Sequence, residues 1–129
     1  MKASVFGFGA SGMNWMQAID YVAALGAAGI EPYPMAELQT PSLPAARRVG
    51  DYAREKGLAL PCFSTAAHMT GAAAQGEIER LCRYADVCAE MGVPYLHHTL
   101  IPALEPAGVP CDMDAAIDEA AENARVVFD

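Results

Sequence analysis

The chain has 129 residues, 53% of them hydrophobic and 19% charged, which is the composition of a folded globular domain and excludes an intrinsically disordered segment. Its 8 basic and 16 acidic residues give a formal net charge of -8, so the chain would on average repel a nucleic-acid backbone. No segment reaches the roughly 18 uninterrupted apolar residues that a membrane span needs. We therefore expect neither a nucleic acid nor a membrane as a partner.

The first predicted strand covers residues 3–8 and the second covers residues 30–35, and an amphipathic helix follows each of them. Asn14 is placed to cap the first helix, and Ser42, with a proline in the next turn, to cap the second. The apolar positions at helical spacing are Trp15, Ile19, Val22 and Ala23 in the first helix and Ala45, Val49, Tyr52 and Ala53 in the second. Because Trp15 lies on this apolar face, we expect it in the core.

The third and fourth predicted strands cover residues 58–63 and 93–98. The helix after the third strand has the clearest apolar face, and the helix after the fourth begins near Asp112, whose carboxylate can cap it. The predicted inward positions are Ile78, Leu81, Cys82, Ala85, Cys88 and Ala89 in the third helix and Ile117, Ala120, Ala121, Ala124 and Val127 in the fourth. The sequence stops at Asp129 with no glycine cap and no returning strand, which predicts that the fourth helix is truncated.

Three glycines, Gly26, Gly57 and Gly92, stand where the first three helices need a left-handed C-cap, and an apolar strand follows each of them. Their spacing is close to the length of one strand-helix unit, about 30 residues or more. The alternation of strands with helices predicts an α/β fold with four parallel strands, because each helix supplies the right-handed crossover. Such a sheet has two unpaired edges, which invite a second copy or another partner chain.

Four cysteines, at positions 62, 82, 88 and 111, lack the paired spacings that are typical of a zinc site or a redox dithiol. The simplest interpretation is that they are buried thiols in a reducing compartment. Residues 1–12 are too rich in glycine to resemble the hydrophobic region of a signal peptide. We therefore expect a cytoplasmic protein.

The helix-to-strand junctions Leu25–Glu31, Ala53–Leu58 and Ala85–Val93 resemble, in this order, successive junctions of xylose-isomerase-like TIM barrels. This family includes sugar phosphate isomerases and epimerases, hydroxypyruvate isomerases, inosose dehydratases and apurinic endonucleases of the family 2 type. The likeness covers nearly the whole chain but only about the first half of a family member. It implies that residues 1–129 form a single N-terminal (β/α)4 segment, half of a (β/α)8 TIM barrel, truncated within the fourth helix.

The same resemblance implies an isomerase or epimerase that moves a proton next to the carbonyl of a sugar or a related polyol. Such enzymes commonly use a divalent metal such as Mn, Mg, Zn or Co, and its ligands come mainly from later strands, outside this segment. The present chain would supply substrate-facing residues. Activity would require the missing half or a partner chain that completes the barrel.

Barrel enzymes place their sites at the carboxyl ends of the strands. His97 and His98, at the end of the fourth strand, are therefore candidate catalytic residues, although neighbouring strand residues point to opposite faces and only one should face the site. The candidate substrate-binding residues are His68, Glu31, Phe8 and Tyr33. The alternatives are that the histidines are hydrogen-bonded structural side chains and that Glu31 forms an internal salt bridge.

One motif favours a different class of protein. The segment Gly7-Phe8-Gly9-Ala10-Ser11-Gly12 has the G-x-G-x-x-G pattern, and Glu31 follows at about the 20-residue distance of a ribose-binding acid. This pattern indicates an NAD(P)-binding Rossmann-type oxidoreductase domain. Against it, the acid comes at the start of the second predicted strand, with Pro32 and Pro34 behind it. A third possibility is a non-catalytic half-barrel subunit that pairs with itself or with another chain.

Overall fold

The computed structural model describes residues 2–6, 12–101 and 112–128. The elements in chain order are β1 (Ser4–Val5), α1 (Trp15–Ala24), β2 (Gly29–Ile30), a 3-10 turn (Ala36–Leu38), α2 (Leu43–Glu55), β3 (Phe63–His68), a second 3-10 turn (Gly71–Ala73), α3 (Ala74–Met91), β4 (Leu96–Ile101) and α4 (Met113–Phe128). The chain divides into two compact units: unit 1 contains residues 1–65 and 84–97, and unit 2 contains residues 66–83 and 98–129. Over the described residues, no helix combines the length and the apolar character that crossing a lipid bilayer takes.

The helices begin at the caps that the sequence predicts. The Asn14 side chain accepts a hydrogen bond from the backbone N–H of Gln17 at 2.9 Å, and the Gln17 side chain accepts one from the backbone N–H of Asn14 at 3.0 Å. Ser42 and Asp112 each accept the backbone N–H three residues further on, at 3.4 Å and 3.2 Å. Each cap satisfies an N–H group that the first helical turn leaves without an intrahelical partner. The three predicted caps are confirmed.

The strands differ from the predicted four-stranded sheet. The described residues form two separate two-stranded parallel sheets, β1 with β2 and β3 with β4. The predicted third strand, residues 58–63, contributes one isolated parallel bridge between Gly29 and Ala59, and β3 begins only at Phe63. The expectation of half a (β/α)8 TIM barrel built on four parallel strands is therefore wrong.

Prolines explain where the predicted pairing stops. Proline has no backbone N–H to give to a strand ladder, and it follows β2 and precedes β3 and β4. These residues are Pro32, Pro34, Pro61 and Pro94. The second strand is thereby confined to Gly29–Ile30, and the last two strands start several residues later than predicted. One hydrogen bond, from Ser64 N to Pro32 O at 2.9 Å, joins the extended segments beyond β2 and at the start of β3.

Unit 1 has a hydrophobic core formed by α1, α2 and the second half of α3. Trp15 and Ile19 of α1 both have a relative exposure of 0%, which confirms Trp15 as a core residue. Tyr84 of α3 is also at 0%, and its hydroxyl donates to the carbonyl oxygens of Leu38 and Gln39, both at 3.0 Å. These acceptors allow a polar hydroxyl to be buried without the penalty of an unmade hydrogen bond.

The predicted inward face of α3 is partly wrong. Ile78, Leu81 and Cys88 are buried as expected. The residues that were expected inside but are exposed are Cys82, Ala85 and Ala89. The buried residues that the prediction missed are Tyr84, Val87 and Met91. Hydrophobic stabilisation grows with buried apolar area, about 25 cal/mol per Å², so these larger side chains decide which face of the helix turns inward.

Unit 2 has a smaller core, in which Ala67 and Met69 pack with Ile78 and Leu81 of α3 and with Ala120 of α4. Further along α4, two residues predicted to point inward, Ala124 and Val127, are half-buried and pack against this core. Two others, Ile117 and Ala121, are exposed, Ile117 by 54%. The prediction for α4 is therefore wrong at Ile117 and Ala121, because the described core of unit 2 contacts the helix at Ala120, Ala124 and Val127.

The described cysteines differ in exposure. Cys88 is buried, Cys62 is half-buried and Cys82 is exposed, so the expectation of buried thiols is right for Cys88 and wrong for Cys82. Cys111 lies outside the described residues. Burial, with the neighbouring Cys62 as a smaller cause, raises the pKa of the Cys88 thiol to about 12. A thiol with this pKa is almost entirely protonated near neutral pH.

We expect Cys88 to resist alkylation in the native protein while Cys82 reacts. The thiolate is the nucleophile, and burial suppresses its formation at Cys88. Treatment with iodoacetamide at mildly alkaline pH, followed by peptide mass spectrometry, measures the two residues separately. Unfolded protein serves as the control, in which both should react. Equal labelling of the two residues in the native protein would contradict the burial of Cys88.

In unit 1, α2 approaches the end of α3 at Gly50. A Cβ atom at Gly50 would stand 2.7 Å from the carbonyl oxygen of Met91. Arg54, one turn further along α2, donates from Nη1 to the same carbonyl at 2.9 Å. The lack of a side chain at position 50 therefore lets the α2 backbone come close to the last turn of α3, and Arg54 satisfies the carbonyl there.

We expect Gly50→Ala to destabilise the protein by about 1–3 kcal/mol, the usual range for overpacking. The new methyl group would press on a backbone oxygen, which cannot rotate aside as a flexible side chain could. Gly76→Ala in α3 is the matched control, because a Cβ there meets nothing within 4 Å, and it should leave the stability unchanged or raise it. Chemical denaturation of both variants measures the free energy of unfolding. A Gly50→Ala protein as stable as wild type would show that the packing of α2 against the Met91 carbonyl does not require glycine at position 50.

Candidate functional site

The structure divides the predicted site residues between the two units. Unit 1 contains Glu31, Tyr33 and His97, and unit 2 contains His68 and His98. Phe8 lies outside the described residues. The roles of all these residues in a site stay predictions.

Glu31 lies directly after β2, beside β1. The two strands pair with Ser4 opposite Gly29 and Val5 opposite Ile30, and the Glu31 N–H donates to the Val5 carbonyl at 2.9 Å. Ser4 Oγ donates to Glu31 Oε1 at 2.6 Å. Ser4 is exposed and Glu31 is half-buried, so solvent reaches the pair. The hydrogen bond thus orients an accessible carboxylate through one of its two oxygens.

This position also bears on the dinucleotide-binding pattern. Glu31 lies at the start of the second predicted strand, residues 30–35, whereas in the structure β2 ends at Ile30 and Glu31 follows it. A ribose-binding acid occupies such a position at the carboxyl end of the second strand, but β2 has two residues and Pro32 and Pro34 follow it, as the objection to the pattern expected. Its glycines at positions 7 and 9 lie outside the described residues.

Tyr33 packs edge-on against two aromatic rings. Its ring centroid lies 5.4 Å from that of Trp15 and 5.5 Å from that of Phe6, with interplanar angles of 80° and 66°. Trp15 is the buried end of this row and donates from Nε1 to the Met35 carbonyl at 3.0 Å, whereas Phe6 is 59% exposed. Burial raises the pKa of the Tyr33 hydroxyl, which therefore stays neutral and able to donate.

Ser4, Phe6, Glu31 and Tyr33 are referred to below as the Glu31 cluster. They combine a carboxylate, which accepts hydrogen bonds from hydroxyl groups, with an exposed aromatic ring. A sugar ring offers both hydroxyl groups and an apolar face, so this combination suits it. Glu31 and Tyr33 are among the site residues predicted from the sequence, whereas Ser4 and Phe6 are not. The signal was present, since both share the period-two alternation of Phe8 in the predicted first strand.

His97 and His98 are the second and third residues of β4, so the prediction that they end the strand is wrong, whereas exposure alternates from Leu96 to Thr99 as expected. Leu96 packs against the core of unit 1, His97 is exposed, His98 is half-buried and Thr99 is exposed. The Nδ1 atom of His98 is shielded from solvent. By this alternation His97, and not His98, lies on the face of β4 that is turned away from Leu96.

His68 is the last residue of β3 and is exposed. Its backbone N–H donates to Glu77 Oε2 at 3.2 Å. Arg80 binds both oxygens of Glu77, from Nε at 3.2 Å and from Nη2 at 2.8 Å, and Nη2 also donates to the carbonyl oxygen of Ala66. The hydrogen bond from Arg80 is the main reason that the pKa of Glu77 lies below its usual range, although partial burial opposes it. The end of β3 is thus tied to α3 through an ion pair.

Two residues of α4 bind the segment that follows His68. Asn123 Nδ2 donates to the Met69 carbonyl at 2.8 Å, and Glu119 Oε1 accepts from the Gly71 N–H at 2.9 Å. Gly71 has a φ of 66°, in the left-handed region that glycine adopts without strain. These contacts are not predicted from the sequence, because they join residues up to 54 positions apart and no local pattern indicates them.

The described residues contain no group of three or more His, Cys, Asp or Glu side chains that could hold a metal ion. The donors present there do not by themselves fit a metal centre, and we assign no chemical step to one. The expectation of a divalent metal, with ligands mostly outside this segment, stays a prediction.

Neither a protein-family model nor a curated protein matches this sequence. Among solved structures, the apo form of the 3-keto-D-glucoside 4-epimerase YcjR from E. coli is similar, with a TM-score of 0.68 and 15% sequence identity. The match covers 98% of this chain and 49% of that protein, so this chain spans about half of its length. At this level of identity the similarity concerns the fold alone.

These findings do not support the resemblance to xylose-isomerase-like TIM barrels. No family model matches, and the described strands form two two-stranded sheets. The junctions that suggested the family do contain left-handed glycines, with φ of 73° at Gly26, 75° at Gly57 and 76° at Gly92. A left-handed glycine satisfies the last carbonyl groups of any helix, so such caps occur in many folds and do not identify a family.

We expect the stability that Glu77 contributes to be lost in acid. Because its pKa is lowered on folding, the carboxylate stabilises the folded state above the ordinary glutamate value of about 4.3, and this stabilisation disappears as the pH falls through the lower folded value. Glu77→Gln keeps an acceptor but has no charge. It should be less stable than wild type at neutral pH, and the difference should vanish in strong acid.

Thermal unfolding of wild type and Glu77→Gln over the acid range measures this difference. Glu79→Gln, at an exposed position on the same helix, is the matched control. A difference between wild type and Glu77→Gln that stays constant with pH would contradict the role given to the Glu77 charge.

Proposed function

We propose that this chain is part of a sugar epimerase-like enzyme and supplies side chains that contact the substrate. The observation that carries the proposal is the Glu31 cluster, in which Ser4 Oγ orients the Glu31 carboxylate at 2.6 Å and Phe6 exposes its ring next to Tyr33. The similarity in fold to a 3-keto-D-glucoside 4-epimerase supports a keto sugar or its glycoside as the substrate class.

The proposed reaction inverts a carbon next to a carbonyl group. A base removes the proton from that carbon, the electron pair passes to the carbonyl oxygen as an enolate, and a second group returns a proton to the opposite face. We assign the first transfer to His97, because it lies on the exposed face of β4 and imidazole is the side chain most often used for such transfers. We assign a supporting role in this transfer to His98, the half-buried residue that follows His97 in β4.

The remaining predicted residues, His68, Tyr33 and Phe8, are proposed as further substrate contacts. Because the chain spans about half the length of the similar epimerase, the proposal includes a second copy or a partner chain for full activity. A divalent metal and a cytoplasmic location also stay predictions.

NAD(P) binding is the second candidate function, and it is favoured by one observation, the position of Glu31 directly after β2. Trp15 is the one tryptophan of the sequence, and its ring contacts Tyr33 next to this position. A nicotinamide-binding protein should therefore show saturable quenching of tryptophan fluorescence on addition of NAD or NADP. A chain that gives no response to either nucleotide does not have this function.

We expect a 3-keto-glucoside to change the fluorescence of Trp15 saturably, because the ligand would contact the Tyr33 and Phe6 rings. Glu31→Gln should weaken this binding about tenfold, since a hydrogen bond to a charged group contributes about 1.5–3 kcal/mol. Glu55→Gln, an exposed position on α2, is the matched control and should bind as wild type does. Binding that Glu31→Gln leaves unchanged would exclude the Glu31 cluster as the sugar site.

Proton transfer is measured separately, by proton NMR of the keto sugar in D₂O with the complete enzyme. Deuterium should replace hydrogen at the carbon next to the carbonyl, and His97→Asn should slow the exchange about 100-fold or more, the usual contribution of general acid–base catalysis. His98→Asn should have a smaller effect. Exchange at the rate of the buffer alone, or an equal rate in His97→Asn, would count against the proposed reaction.

A further inference from the structure

The segment that ends β3 and follows it, residues 66–71, is held by four polar side chains of unit 2. The contacts are, in chain order, Arg80 to the carbonyl of Ala66, Glu77 to the N–H of His68, Asn123 to the carbonyl of Met69 at 2.8 Å and Glu119 to the N–H of Gly71 at 2.9 Å. Arg80 and Glu77 come from α3, whereas Asn123 and Glu119 come from α4. Two helices therefore hold one short stretch of backbone from different positions in the sequence.

The same stretch is also anchored by burial. Met69 is fully buried in the core of unit 2 and Thr70 is 4% exposed, whereas the His68 side chain is exposed. An ordinary loop satisfies its backbone groups with water and stays mobile. Here, side chains of α3 and α4 take the place of water at four backbone groups, and each of them loses conformational freedom in doing so. The group that this anchored segment presents to solvent is the His68 imidazole.

We infer that Glu77, Arg80, Glu119 and Asn123 are positioning residues that hold the backbone of residues 66–71, from which the His68 imidazole reaches the substrate. The substrate contact rests on the proposed function, whereas the rigidity of the loop can be tested without it. Ordering the loop before the ligand arrives removes part of the entropy loss on binding. Loss of a positioning residue should therefore raise the Kd or KM for the sugar and leave kcat nearly unchanged.

Variants of α4 test this inference, because Glu119 and Asn123 contact only backbone atoms of the loop in the hydrogen bonds that they make with it. Glu119→Ala removes the acceptor of the Gly71 N–H, and Glu119→Gln retains one. Asn123→Asp has nearly the same shape as wild type but lacks the donor for the Met69 carbonyl. Glu122→Ala, at an exposed neighbouring position on α4, is the matched control. Circular dichroism verifies that each variant is folded.

Amide hydrogen exchange followed by NMR reports on the loop in the absence of ligand. Exchange at Gly71 should become about fivefold faster in Glu119→Ala, the change that corresponds to one ordinary hydrogen bond, and should return to the wild-type rate in Glu119→Gln. Asn123→Asp should accelerate exchange at His68 and Gly71 by a similar factor. Unchanged exchange in both Glu119→Ala and Asn123→Asp would overturn the inference.

Affinity for a 3-keto-glucoside, measured by calorimetry with the same proteins, tests the link to the substrate. Faster exchange together with about fivefold weaker binding supports the positioning role, and Glu119→Gln should restore both. Faster exchange with unchanged affinity overturns that role. If wild type binds no keto sugar, the proposed function fails, and the exchange rates still decide whether α4 orders the loop.

Discussion

The short parallel pairing of β1 with β2 is the constraint on which the arrangement of unit 1 depends. Ile30 is fully buried and Val5 packs against the core, so both strands turn one face inward. Because side chains alternate, Ser4 and Glu31 then come to the opposite face, where they meet through a hydrogen bond of 2.6 Å. A slip of one residue would expose the two apolar side chains and bury the carboxylate, and both changes are unfavourable.

A second constraint acts on the other edge of β2. The Ile30 N–H donates to the Ala59 carbonyl at 3.0 Å, and a Cβ atom at Gly29 would stand 2.7 Å from that same oxygen. Only glycine permits this approach. Gly29, which pairs with Ser4 of β1, therefore also allows the segment at Ala59 to lie against the other edge of β2. Gly29 and Gly50 are thus packing residues, whereas Gly26 and Gly57 serve the conformation of the backbone at helix ends. A sequence pattern shows the second kind of glycine but not the first.

Features that depend on neighbouring residues could be predicted from the sequence, whereas features that depend on distant residues could not. Caps at Asn14, Ser42 and Asp112 are local in sequence, and each was identified correctly from a side chain and its neighbours. The strand limits failed where pairing across the chain decides the outcome, as at Phe63, and the inward face of α3 failed where large and small apolar residues compete, as at Tyr84. At the candidate site, Glu31 and Tyr33 could be identified by residue type within the second predicted strand. Glu119 and Asn123 could not, because their partners are 48 and 54 positions away.

In unit 2, such polar contacts between residues distant in sequence contribute to the stability of the fold. Among the residues that the structure describes, its core contains five buried residues, two of them alanines, and the buried residue from α4 is Ala120. Apolar burial at this small scale leaves little stabilisation after the entropy of ordering a helix has been offset. The hydrogen bonds that Glu119 and Asn123 make therefore have two effects: they attach α4 to the rest of unit 2, and they order the segment after His68. A substitution at Glu119 or Asn123 therefore weakens both the attachment of α4 and the order of the segment after His68.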